Sequence, residues 1–319
     1  MKLVRLCKDS FYRNYGEFGY IFNQMTKFDE VYNNSAAKIL QLIEREPKPI
    51  NNIIDNISKL FSAISYETIQ TDVIEFISDI EGQNYIVTGE NISELNAKEP
   101  KFSYDMENPK TMRGIFKNES AINSVSQDTE TFFYDYLRNY PTIIGATIEV
   151  TSKCNERCIH CYIPHETKTN DINTDFAFSV LDQLQNAGTL NITFSGGELF
   201  LHKDIIKILE YARKLDFSIT ILTNLTLLND EVLNVLKNIN ICQLQISVYS
   251  LKEEEHDFIT QLPGSLKLTL QNLDKLIKYN IPAQISCPVM KVNYNSYKDV
   301  LRYARERKMK AHNDYIMMG

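Results

Sequence analysis

Residues 143–162 read IIGATIEVTSKCNERCIHCY. The stretch opens as a short apolar strand, Ile143 to Val150, and turns within a few residues into three cysteines, Cys154, Cys158 and Cys161. Thiols in a C-x3-C-x2-C run point to a metal. A structural zinc site takes four protein ligands and this run supplies three, so zinc would need His160 or His165 as the fourth. Iron-sulfur clusters are held by thiolates, and three thiolates on a four-iron cube leave one iron open. An open iron can bind a small molecule that chelates through an amine and a carboxylate.

Downstream of the cysteines the chain alternates strand and helix with a period of roughly thirty residues. The strands are expected at Ile143 to Val150, Leu190 to Phe194, Ser218 to Leu222, Cys242 to Val248, Ala283 to Pro288 and Ala311 to Met317. Helices are expected near Asp175 to Ala187, Asp204 to Leu215, Asp230 to Lys237, Leu266 to Tyr279 and Tyr294 to Arg307. Apolar runs such as Thr220-Ile221-Leu222 belong to parallel sheets covered on both faces. Six such units predict an α/β fold, an incomplete (β/α)6 barrel of TIM type, whose chemistry belongs at the carboxyl ends of the strands. The cysteines directly follow the first strand.

Upstream, Phe11 to Tyr15, Tyr20 to Gln24 and Phe28 to Tyr32 are short, aromatic and separated by turn residues, the pattern of a small meander. Asn34-Ser35 starts a helix that Pro47-Lys48-Pro49 stops, and Ile50 to Phe61 and Tyr66 to Ile80 carry apolar residues every three or four positions. Tyr85-Ile86-Val87 closes the unit as a returning strand. This order predicts a small winged-helix-like α+β domain over residues 1–90. Residues 91–140 are polar and predict a linker with one helix, Asp128 to Arg138, whose face of Phe132, Phe133, Tyr136 and Leu137 could dock on a neighbour. Residues 141–319 are the barrel.

Composition narrows the function. Apolar residues make up 43% of the 319 and charged residues 24%, as in a globular protein. No apolar run approaches a membrane span, and the first residues lack the core of a signal peptide, so a cytoplasmic location is expected. A net charge of −7 with scattered lysines disfavours nucleic acid as a partner. The remaining cysteines, Cys7, Cys242 and Cys287, are isolated and expected to be small buried hydrophobes.

Cys154, Cys158 and Cys161, joined to Ser195-Gly196-Gly197-Glu198 at the end of the second strand, resemble the radical S-adenosylmethionine superfamily over about Thr147 to Met317. The resemblance implies a 4Fe-4S cluster on the three cysteines and S-adenosylmethionine on its open iron. An electron then cleaves the sulfonium and a 5′-deoxyadenosyl radical abstracts hydrogen from a substrate. The protein positions the cofactors and excludes competing reactions. By the same resemblance Gly196 and Gly197 let the methionine moiety approach the backbone and Glu198 accepts from its ammonium. Ser195, Asn224 and Ser247 are implied at cofactor-facing strand ends. Many members place a glycine after this asparagine, where Leu225 stands here. His160 is expected to pack near the adenine, and Tyr162 to pack also. The stretch His256-Asp257-Phe258-Ile259-Thr260 with Pro263-Gly264-Ser265 looks like the loop after the fourth strand in the peptide-modifying branch.

The unit from Leu3 to about Thr88 resembles the PqqD-like domain fused to radical maturases of ribosomally made peptides. That domain captures a leader peptide by strand addition beside its third helix, which corresponds here to Phe28 to Tyr32 and Tyr66 to Ile80. The implied partners are a precursor peptide and an external electron donor such as flavodoxin or ferredoxin. Thioether cross-linking is the leading expectation, ahead of carbon-carbon cross-linking, epimerisation, sulfatase-type maturation or a non-catalytic peptide-binding subunit. Peptide-modifying members typically continue into a cysteine-rich extension. This chain stops at Gly319, so the expectation is a fragment, an extension on another polypeptide, or an enzyme with one cluster.

Overall fold

The computed structural model describes residues 2–104 and 129–313. The described residues form two compact units, 2–101 with 129–142 and 102–104 with 143–313.

The first unit runs β1 (Leu3–Leu6), β2 (Ser10–Tyr15), β3 (Phe18–Asn23), β4 (Phe28–Tyr32), α1 (Asn34–Leu42), β5 (Lys48–Pro49), α2 (Ile50–Leu60), α3 (Tyr66–Gly82), β6 (Ile86–Gly89), α4 (Ile92–Lys98) and α5 (Thr129–Asn139). Strands β2, β3 and β4 form the antiparallel meander, and β1 lies between β5 and β6 in a second small sheet. Side chains start the helices: Asn33 accepts from Ala36 N–H, Ser65 from Thr68 N–H and Asn91 from Glu94 N–H. The apolar stripes of α1, α2 and α3 meet in one core with Val4 and Ile21.

Two elements here run against expectation. β1 is a strand although Arg5 interrupts it, because Arg5 is buried 2.8 Å from the Glu99 carboxylate. Residues 92–98, expected as linker, form α4, which buries Leu95 against Cys7 and Val87. Helix α5 covers the outer face of the meander: Phe132 meets Phe18 at 5.0 Å between ring centroids, Phe133 meets Tyr20 at 4.8 Å and Tyr136 meets Tyr15 at 5.6 Å. The rest of the expected linker, 105–128, lies outside the described residues.

The second unit alternates β7 (Gly145–Thr151), α6 (Thr174–Asn186), β8 (Asn191–Gly196), α7 (Ile205–Lys214), β9 (Ser218–Thr223), α8 (Asp230–Asn238), β10 (Gln243–Ser247), α9 (Glu253–Thr260), α10 (Ser265–Lys278), β11 (Ala283–Ser286), α11 (Tyr297–Glu306) and β12 (Lys310–His312). The six strands are parallel and lie in sequential order, as a partial barrel requires. Helix α9 stands where a loop was expected. Glu253, Glu254 and Glu255 fill its first turn, where carboxylates oppose the positive end of the helix dipole. The last expected strand starts one residue early, at Lys310, and its residues 314–317 lie outside the described ones. Cys7 and Cys287 are buried as expected, whereas Cys242 is only half-buried.

Candidate metal and cofactor site

Beyond Thr151 the chain leaves β7 and turns across the ends of its neighbours. Thr151 Oγ1 donates to Asp171 Oδ1, and Lys153 Nζ pairs with the other oxygen of that carboxylate, both at 2.6 Å. The N–H of Gly197 donates to Thr151 O and that of Glu198 to Lys153 O, each at 2.8 Å. Only glycines permit this approach. An added Cβ would stand 2.2 Å from Thr151 O at Gly196 and 2.2 Å from Lys153 O at Gly197, and Gly196 holds φ at +136°. The Thr151 to Lys153 backbone by itself therefore requires glycine at both positions.

The cysteine loop follows directly, with all three thiols half-buried. A second anchor is α9, whose last carbonyls have no partner within their own helix. Thr260 O accepts from Arg157 N–H and Ile259 O from Ile259's neighbour across the gap, Ile159 N–H, both at 2.9 Å. The stretch singled out around His256 thus docks the loop. Asp257 Oδ1 accepts from Ser265 Oγ at 2.8 Å and from Leu266 N–H at 3.1 Å, tying α9 to α10. Ser265 Oγ also lies 3.1 Å from His256 Nδ1 and 2.7 Å from Thr260 Oγ1.

The other expected residues gather at the same end of the sheet. Ser195, the residue before the last of β8, and Ser247, the last of β10, are half-buried. Glu198 is fully buried and its carboxylate accepts from Phe200 N–H at 3.2 Å, Thr223 Oγ1 at 2.9 Å and Asn224 N–H at 2.8 Å. Burial nevertheless pushes its pKa up to about 7. Asn224 is buried and bonded to Asn155 of the cysteine loop and to Thr226. Between Asn224 and Thr226, Leu225 takes φ +62°, the left-handed conformation for which a glycine is the usual residue. Tyr162 departs from expectation: it is 64% exposed and its hydroxyl donates to Glu149 Oε1 at 2.7 Å.

Sequence reasoning missed several participants. Asn155, Thr223 and Thr226 each also bond a residue far away in sequence, Asn155 to Asn224 and Thr226, and Thr223 to Glu198, which no local pattern marks. Glu156 is buried, receives the Cys158 thiol on Oε2 at 3.3 Å, and is pushed up to about 7 by burial. Its Oε1 and the Nδ1 of His160 are buried with no hydrogen-bond partner. The His160 ring meets buried Tyr249 edge-on at 5.0 Å, and burial lowers its pKa.

These residues fit an iron-sulfur cluster better than a single ion. Among the described residues no three His, Cys, Asp or Glu side chains converge as one ion would require. Thiolates that grip separate corners of a cube stand further apart. His165, the other candidate zinc ligand, is exposed on a 3-10 turn. Burial raises the Cys154 thiol to about 11 and Cys158 further, so loading a metal here must displace protons.

Residues 148–304 match the Radical SAM superfamily, and residues 31–86 match coenzyme PQQ synthesis protein D (PqqD). The chain carries a radical SAM domain behind a PqqD domain. The superfamily works with a 4Fe-4S cluster and S-adenosylmethionine. Over 291 residues, 87% of this chain and 62% of the relative, it is 26% identical to the antilisterial bacteriocin subtilosin biosynthesis protein AlbA of Bacillus subtilis. The PqqA peptide cyclase of Bradyrhizobium diazoefficiens is 24% identical over 50% of the chain and 42% of that protein. In fold the chain is similar to Streptococcus suis SuiB, solved with its precursor peptide SuiA, at a TM-score of 0.63 and 15% identity, covering 97% of this chain and 63% of that one. This radical SAM chain therefore spans about three fifths of the length of AlbA and SuiB.

Proposed function

We propose that this radical SAM protein modifies a ribosomally made precursor peptide. The observation that carries this reading is the cysteine loop, anchored by main-chain hydrogen bonds to β8 and α9 at the carboxyl end of a parallel sheet, in a chain that also has a PqqD domain. Cys154, Cys158 and Cys161 would hold the cluster. Ser195, Gly196, Gly197, Glu198 and Ser247 stand at the strand ends where S-adenosylmethionine would lie. When bound, these cofactors supply one-electron cleavage and hydrogen abstraction.

The chain's own residues set the conditions. Loading requires the three thiols to lose their protons, and burial of Cys154 and Cys158 opposes that until metal is present. The glycine pair and the α9 carbonyls fix where the loop can go, so the thiols are preorganised on rigid elements. Among the described residues of the PqqD domain β4 pairs with β3 and with no other strand, and its other side is where we place the leader peptide as an added strand. A leader held there raises the local concentration of the attached core peptide.

We place the reaction in thioether cross-linking, supported by the match to a bacteriocin biosynthesis protein over most of the chain. The electron donor would be a flavodoxin or ferredoxin. Among the described residues no helix is long and apolar enough to cross a membrane, which is consistent with the cytoplasmic location we propose. The test is anaerobic reconstitution with iron and sulfide, followed by incubation with S-adenosylmethionine, reductant and a precursor peptide encoded nearby. Deoxyadenosine release with loss of two hydrogens and one free thiol from the peptide is expected. The same mass loss with every thiol retained would mean a carbon-carbon link. Release from neither the enzyme alone nor the peptide-supplied reaction would sink the proposal.

A further inference from the structure

Asn155, Asn224 and Thr226 form a closed ring of side-chain hydrogen bonds. Asn224 Nδ2 donates to Asn155 Oδ1 at 3.0 Å, Asn155 Nδ2 to Thr226 Oγ1 at 2.8 Å, and Thr226 Oγ1 to Asn224 Oδ1 at 2.8 Å. Each side chain donates once and accepts within the ring, so flipping either amide would set donor against donor. Thr226 N–H adds a second bond to Asn224 Oδ1 at 3.0 Å, a turn of the kind asparagine makes with the residue two further on. Asn224 is 8% exposed and Thr226 7%.

The main chain on either side is fixed as firmly. Thr223 Oγ1 accepts from Leu225 N–H at 2.8 Å, Thr269 Oγ1 donates to Asn224 O at 2.9 Å, and Asn272 Nδ2 donates to Leu225 O at 2.9 Å. One side of the ring is therefore built into β9 and α10. The other side, Asn155, is a residue of the cysteine loop next to Cys154.

Asn224 has little left to offer a ligand. Its Oδ1 takes two donors and its Nδ2 gives one of its hydrogens to Asn155. We infer that Asn224 and Thr226 are positioning residues that act through Asn155, fixing the cysteine loop on the end of β9, and that Asn224 is not a contact for S-adenosylmethionine. This inference rests on the proposed reading of Cys154, Cys158 and Cys161 as cluster ligands. A buried ring of this kind stabilises one loop conformation because breaking any bond leaves a desolvated partner.

The experiment compares the wild-type chain with Asn155→Ala, Asn224→Ala, Thr226→Val and the conservative Thr226→Ser. Hydrogen exchange of the metal-free chain is followed over residues 154–161, and iron content, the electron paramagnetic resonance of the reduced cluster and affinity for S-adenosylmethionine are measured after reconstitution. Each of the first three variants removes two ring bonds and should speed exchange in the loop by at least roughly tenfold, as the loss of buried hydrogen bonds implies. Residues 10–32 should exchange as before. Iron content should fall by roughly half in the same three variants, with a broadened resonance, while the loaded fraction keeps wild-type affinity for S-adenosylmethionine. Thr226→Ser should restore every readout. A tenfold loss of S-adenosylmethionine affinity in Asn224→Ala, with loop exchange and iron unchanged, would overturn the inference. If the wild-type chain binds no iron, the cluster reading fails. The exchange data still judge the ring, since protection equal in all four variants would refute it.

Discussion

Gly197 lies so close to Lys153 that a β-carbon there would stand 2.2 Å from the Lys153 carbonyl oxygen and 2.7 Å from its carbon. Both contacts are to backbone that is hydrogen-bonded in place, so no side chain can swing aside. Gly197→Ala is expected to cost about 3 kcal/mol of stability and most of the iron content, because relief requires the start of the cysteine loop to move. Gly196→Ala adds an unfavourable φ to the same clash and should be at least as damaging. Thermal unfolding and iron analysis check both, and wild-type values for either variant would disprove this account of the glycine pair.

Leu225 adopts a conformation that costs an L-residue roughly 1–2 kcal/mol, and it is fully buried. Truncation to alanine keeps the strained backbone and removes core packing, a loss of about 3 kcal/mol. Truncation to glycine removes slightly more packing but relieves the strain. The smaller residue should therefore be the milder change, with Leu225→Gly about 1 kcal/mol more stable than Leu225→Ala. Urea unfolding of the two variants measures the order, and alanine matching or exceeding glycine would refute the strain argument.

The contrast between legible and hidden parts follows from range. The parallel strands and α1, α2 and α3 announce themselves through local periodicity and side-chain caps, which a sequence displays directly. The three cysteines and Gly196-Gly197-Glu198 were visible because their types and spacing are rare. What stayed hidden depends on contacts across elements. β1 needs Glu99 to neutralise Arg5, α4 buries only Leu95, and α9 is short and rich in charge. The glycine pair was found, but the reason for it, the Thr151 to Lys153 backbone, is visible only in three dimensions.

Arg5 and Glu99 form a buried ion pair in the first unit, each with a side chain 7% exposed. Their closest atoms are 2.8 Å apart, yet Oε2 of Glu99 meets no hydrogen-bond geometry, so the contact is chiefly coulombic. Arg5 also donates to Leu6 O at 3.2 Å and Asn96 Oδ1 at 3.1 Å, which holds α4 against β1. Glu99→Ala leaves a buried guanidinium without its counter-charge and should cost about 3 kcal/mol. Arg5→Met with Glu99→Met removes both charges and should recover part of that loss. Chemical unfolding of wild type, the single variant and the double variant reports the difference, and a single variant as stable as wild type would contradict it.

His256 is 1% exposed, with Nε2 buried and without a partner. Burial lowers its pKa to about 4, and the Asp257 carboxylate 3.6 Å away offsets only part of that shift. As pH falls below about 6.5 the unfolded chain takes up a proton at this residue while the folded chain resists until about 4, so stability is lost as the solution becomes more acid. At about 1.4 kcal/mol per pH unit the full loss is about 3 kcal/mol. Glu198 acts in the opposite sense: its pKa, raised to about 7, makes its contribution greatest in acid and lost as pH rises. Glu156, likewise raised to about 7, acts in the same sense as Glu198, so total stability against pH mixes several groups and a variant is needed to isolate His256. His256→Phe keeps a ring against Tyr249, leaves Ser265 Oγ bonded to Thr260 and Asp257, and removes the titrating group. The unfolding free energy of His256→Phe minus that of wild type should rise by about 3 kcal/mol between pH 7 and pH 4. Parallel curves across that window would mean that His256 is not held neutral by its surroundings.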